Sequence, residues 1–156
     1  MIQAFTETNL YAIIQTEDNK ILQDPPGGCT KDLFKFTNDL NGEVQYAYPL
    51  EEIYNRYSKF LFTYNVNPYV YYGRINLKPA GYWKYEVFQV TWGTCPDGEG
   101  FNSGTMPPTE EFVFNPAGNG YGVVQGLVTK GKMFVEEKRG TEEVQYIQNA
   151  KSVISL

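Results

Sequence analysis

With 156 residues and 13 Lys and Arg against 18 Asp and Glu, the chain is long enough for one domain with a real core and carries a net charge of -5. Thirteen scattered cations cannot make the basic stripe that a phosphate backbone demands, so nucleic acid is not an expected partner. No run approaches the ~20 apolar residues of a membrane helix, and the opening MIQAFTETNLYAII lacks the basic and apolar regions of a signal peptide, so neither membrane nor export is expected.

Aromatic residues make up 16%, led by 13 Tyr and 10 Phe, which favours strands and half-buried sheet faces. In chain order, Asn9 to Gln15 (NLYAIIQ) reads as an apolar strand, and the DPPGG within Gln23 to Thr30 breaks any ladder. Leu33 to Asn38 and Glu43 to Tyr48 alternate about the Asn-Gly of DLNG, predicting a hairpin. Pro49 to Tyr57 (PLEEIYNRY) reads as a short helix, with Pro leading and two Glu in the first turn. Lys59 to Tyr64 and Tyr69 to Leu77 read as strands.

The most informative stretch is Arg74 to Thr91 (RINLKPAGYWKYEVFQVT). Ile75 and Leu77 alternate with polar neighbours, Lys78 to Gly81 turns, and Trp83, Tyr85 and Val87 then project to one face while Lys84 and Glu86 project to the other. That pattern predicts Trp83, Tyr85 and Val87 in the core of a sandwich. Gly93 to Gly120 is a long irregular loop, and Gly122 to Ile147 reads as a three-strand meander turning at Thr129 to Lys132 and Lys138 to Thr141. The sum is an all-β chain: a Greek-key β-sandwich of about eight or nine short strands, one domain with its core from about residue 9 to 148.

The chemistry of a catalytic site is sparse. With no His, the commonest general base and zinc ligand are both missing. The paired acids Glu51-Glu52, Glu110-Glu111, Glu136-Glu137 and Glu142-Glu143 point to opposite faces if they lie on strands, and so do not flank one bond. Asp97 and Glu99 in CPDGEGFNSG are oxygen-rich, as calcium loops are, but equally suit a plain turn. No enzyme, metal or cofactor is expected. Cys29 and Cys95 lie in Gly/Pro-rich loops that would allow a disulfide at one end of a sandwich, but the missing export signal favours free thiols and a double serine variant with an unchanged melt. Trp83, Tyr85, Tyr71 and Tyr72 offer either core packing or a sugar-stacking platform.

Leu77, Gly81, Trp83, Tyr85 and Val87 are spaced as in the corner that leads into the sixth strand of immunoglobulin-like domains, which they resemble, with Trp83 where a tyrosine usually stands and Tyr85 where the disulfide cysteine would be. More broadly, LFKFTND, KFLFTYN, the unit from Gly73 to Val90 and GLVTKGKMFVEEKRGTEEVQYI are similar to small structural proteins of tailed bacteriophages, over most of Leu33 to Ile147. That resemblance implies a non-catalytic virion protein assembled in the host cytoplasm. It would bind other coat proteins, the major capsid protein first, as a capsid decoration or head-fibre attachment protein, with the neck or tail as a second location and homo-oligomers possible. A carbohydrate-binding or host-recognition module is the alternative. Partner contacts are expected from the long loop and the termini, Met1 to Thr8 and Asn149 to Leu156, which the sandwich would not need. Their apolar groups are Phe5, Phe101, Met106, Phe112, Phe114, Val153, Ile154 and Leu156.

Overall fold

In the computed structural model, which describes residues 1–16, 20–24, 26–54 and 57–138, two β-sheets pack face to face. Nine strands are present among the described residues: β1 (Ile2–Phe5), β2 (Leu10–Ile14), β3 (Cys29–Asn38), β4 (Val44–Ala47), β5 (Leu50–Ile53), β6 (Ser58–Tyr64), β7 (Arg74–Ile75), β8 (Gly81–Trp92) and β9 (Val123–Glu136). One sheet has the order β1-β9-β8-β3-β4, the other β2-β6-β5 with β7 added to β6. The chain is therefore a two-sheet all-β sandwich.

Alternation builds the core. Phe34 and Phe36 on β3, Phe60 and Phe62 on β6, Leu10, Ala12 and Ile14 on β2, and Trp83 and Val87 on β8 all face inward and are buried. Phe34 meets Phe60 and Phe62 edge-on, each at 4.9 Å between centroids, the geometry the ring quadrupoles favour. Tyr85 is only partly buried and packs at the rim of this cluster. The β3–β4 hairpin forms as expected, closed by Asn38, whose Oδ1 accepts the backbone N–H groups of Leu40 and Asn41.

Several expectations are corrected. The Pro49 to Tyr57 segment carries strand β5, not a helix, because pairing with β6 from Leu50↔Leu61 to Ile53↔Ser58 satisfies backbone groups that a lone turn of helix could not. Tyr69 to Leu77 is not one strand: a 3₁₀ turn at Val70–Tyr72 ends at Gly73, whose φ of 64° reverses the chain into β7, where a Cβ would lie 2.6 Å from the Tyr48 carbonyl oxygen. The meander turn at Thr129 to Lys132 is absent. β9 runs straight through it for 14 residues, and the turn predicted at Lys138 to Thr141 lies outside the described residues. Residues 1–8 are not dispensable either. β1 runs parallel to β9, Ala4 enters the core, and Thr6 N–H donates to the Glu136 carbonyl at 2.8 Å.

The cysteines also depart from expectation. Cys29 and Cys95 form a disulfide, because the β3–β8 register sets Cys29 opposite Trp92 and the following loop bends back until Cys95 N–H donates to the Gly27 carbonyl at 2.9 Å.

Candidate interaction surface

The long loop after β8 is a lid on the sheet rather than a free arm. Leu33, Phe88, Val90 and Trp92 project from the outer face of β3 and β8, and with Tyr48 and Met106 they form a second buried cluster. Three bonds hold the lid down. Trp92 Nε1 donates to the Thr105 carbonyl at 3.1 Å, Gly122 N–H donates to the same carbonyl at 2.8 Å, and the Tyr48 hydroxyl donates to the Pro107 carbonyl at 2.5 Å. Burial of the Tyr48 phenol pushes its pKa above the ordinary range, which favours the protonated, donating form. This explains why β8 changes from alternating burial to continuous burial after Val87.

Expected partner contacts must be redistributed accordingly. Met106 is corrected outright: it is a core residue, 2% exposed. Phe101 is half-buried, standing edge-on to Trp92 at 5.2 Å with Lys31 Nζ 4.5 Å from its centroid. Phe112 and Phe114 do reach the surface region, where they and Tyr121 line a small pocket of about 90 Å³ with Val123 and Val124. Phe5 is exposed on β1. Val153, Ile154 and Leu156 lie outside the described residues.

A polar clamp fixes the loop beside that pocket. Glu110 accepts from Lys35 Nζ at 2.7 Å and from the Tyr46 hydroxyl at 2.5 Å. Burial raises the Glu110 pKa, but the bonds from Lys35 and Tyr46 outweigh it and leave the carboxyl below its ordinary range. Desolvation, with the Glu110 bond second, pushes Tyr46 up to about 12. A carboxylate with a depressed folded pKa contributes stability above the ordinary carboxylate range and loses it as pH falls through the lowered value. Acidification is therefore expected to loosen the loop before the sandwich unfolds, and Glu110→Gln should remove that step. Near-ultraviolet circular dichroism of Trp92 and Phe101 against pH, in both proteins, checks it.

The surface that the sequence reading missed is the outer face of the β2-β6-β5 sheet. Register sets Tyr11 beside Leu61 and Leu61 beside Leu50 in one row, and Ile13, Lys59 and Glu52 in the next. Tyr11, Ile13 and Leu50 are 56%, 63% and 71% exposed. Beyond them Thr63 pairs with Arg74. Both cations lie on tyrosine rings, Lys59 Nζ 4.8 Å from the Tyr11 centroid and the Arg74 guanidinium carbon 5.4 Å from that of Tyr72. Neither has a carboxylate in ion-pair contact among the described residues, whereas Lys35, Lys78 and Lys132 are paired to Glu110, Glu7 and Asp39. Strands apolar on both faces were the available signal: NLYAII has no polar position between Leu10 and Ile14, and KFLF has none between Phe60 and Phe62.

Other candidates carry less. Trp83 is buried with its Nε1 donating to the Pro79 carbonyl at 3.0 Å, so its ring cannot stack on a sugar. An open groove of about 820 Å³ runs between β4 and the 66–70 turn, lined by Val44, Tyr46, Val66 and Pro68. Among the described residues no three His, Cys, Asp or Glu side chains gather as a metal site, Asp97 and Glu99 included, and no helix is long and apolar enough to cross a membrane. Comparison with known proteins finds no matching family model, curated protein or solved structure.

Proposed function

We propose that this chain is a non-catalytic assembly protein that docks other protein subunits on the outer face of its three-stranded sheet. The observation that carries this reading is the row Tyr11–Leu61–Leu50 with Ile13 beside it: apolar cross-strand neighbours on one sheet face, of which Tyr11, Ile13 and Leu50 are 56%, 63% and 71% exposed. Exposed patches of this kind, rimmed by polar groups, mark protein contacts. The sequence likeness to tailed-phage structural proteins supports setting such a module in a virion, as a capsid decoration or head-fibre attachment protein binding the major capsid protein. Repeated shallow contacts gain strength there through multivalency. The Cys29–Cys95 disulfide supports this setting, since virion surfaces are among the places where disulfides persist.

Two measurements test the reading. Mass spectrometry of purified particles should find the chain, and its absence from particles made in cells that express it would sink the virion assignment. The double variant Tyr11→Ser, Ile13→Lys should keep its melting temperature within a few degrees, because both side chains are already in water, yet enter particles at least about tenfold less well. Undiminished incorporation would remove this face from the contact.

A further inference from the structure

We infer that the occupant of the β5-β6-β7 part of this face is a second copy of the chain, related by a twofold axis that runs along the strands between β6 and its β5/β7 neighbours. This deepens the assembly reading above and rests on it. A twofold interface sets one surface against itself, so each group must tolerate the partner to which the symmetry assigns it. Most charged surfaces fail that requirement by bringing like charges together.

Here the requirement is met row by row. Lys59 and Glu52 are cross-strand neighbours on the outer face, as are Leu61 and Leu50, and Thr63 and Arg74. An axis between those columns exchanges the members of every row. Lys59 of each copy then faces Glu52 of the other, Leu61 faces Leu50, and Arg74 faces Thr63. Among the described residues of these rows no two like charges oppose each other, although each chain carries a net charge of -5. Lys59, which has a tyrosine ring but no carboxylate in ion-pair contact among the described residues, gains one from the partner. Two sheets packed in this way have nearly aligned strands, as in the interior of a sandwich.

Pairing through a sheet edge is the competing route, and the long free edge is protected against it. β9 beyond β1, from Val123 to Lys132, has no strand neighbour on the side away from β8 among the described residues. Its register with β8 skips at Gln125 and at Val128, and such bulges twist an edge away from further pairing. The longest free edge is thus ill suited to pairing, which favours the face as the symmetric contact.

Charge reversal tests the register. Sedimentation equilibrium of the parent chain should show a monomer–dimer equilibrium in the micromolar to sub-millimolar range. Lys59→Glu and Glu52→Lys should each weaken self-association by about tenfold or more, since each homodimer then sets like charges together twice. An equimolar mixture of the two variants should regain dimers near the parent affinity, because both contacts become opposite-charge pairs again. Each single variant also sets like charges side by side on β5 and β6 of its own chain, so circular dichroism melts should fall by a few degrees at most, and the equimolar mixture, not the melt, reads the contact between copies. A parent that remains monomeric throughout, or a mixture that associates no better than either variant alone, overturns the twofold. If the parent is monomeric while Tyr11→Ser, Ile13→Lys still loses incorporation, the face belongs to a different virion subunit and the assembly reading stands.

Discussion

Trp83→Ala is expected to destabilise the chain by about 3–5 kcal/mol, the usual cost of removing a large aromatic group from a packed interior. The ring has no exposed surface and sits on β8 between Asn38 of β3 and Met133 of β9, the register partners on either side. Its indole N–H and the Asn38 side-chain amide both donate to the Pro79 carbonyl, at 3.0 and 3.3 Å, so truncation opens a cavity and weakens the tie between β8 and the turn before it. Trp83→Phe should recover most of the packing but not the hydrogen bond, leaving a loss of roughly 1–2 kcal/mol. Urea titrations of the three proteins separate the two contributions. A midpoint unmoved by Trp83→Ala would place the ring outside the core.

That residue was legible because its strand obeys one period from Gly81 to Val87. The same holds for β2, β3 and β6, where apolar and polar positions alternate or most of the run is apolar; β4 was legible as a strand, but its faces run against its pattern, with Gln45 and Ala47 buried and Val44 exposed. Legibility fails where a local signal has a tertiary origin. Gly131 resembles a turn residue in Thr129 to Lys132, yet it stands in mid-strand because the Tyr85 ring crosses over it: a Cβ there would lie 2.6 Å from the phenol oxygen. Gly122 is similar, lying against the Trp92 ring where a Cβ would come within 2.7 Å. In both cases a glycine that punctuates the sequence is a packing device in the fold.

The candidate site was less legible than the fold for a related reason. Met106 sits among Gly, Pro and Thr, a composition that says loop, and nothing local says that the loop closes over Trp92. Conversely, Tyr11 and Ile13 sit in the most apolar strand of the chain, which says core, and only the topology shows that β2 lies in a sheet covered on one side. Burial of Met106 and exposure of Ile13 are thus both set by which sheet faces the lid reaches. Composition carries no record of that.

The lid also sets the expected behaviour of the cysteine pair. The Cys29–Cys95 bond spans a sequence separation of 66 residues, and closing a loop of that size in the unfolded chain removes entropy equivalent to about 4 kcal/mol. Cys29→Ser with Cys95→Ser should therefore lower the free energy of unfolding by about that amount, against the smaller effect that an unpaired reading of the two thiols predicts. Because Cys95 opens the lid and Cys29 begins β3 beside Trp92, the loss should be felt first in the second core: Trp92 fluorescence is expected to shift at lower urea than the far-ultraviolet signal of the strands. Treating the parent with a thiol reductant should reproduce the urea midpoint of the double variant. A variant within about 1 kcal/mol of the parent would show that the lid's buried contacts, Met106 and the Tyr48 and Trp92 hydrogen bonds, already hold that end of the sandwich closed without the covalent link.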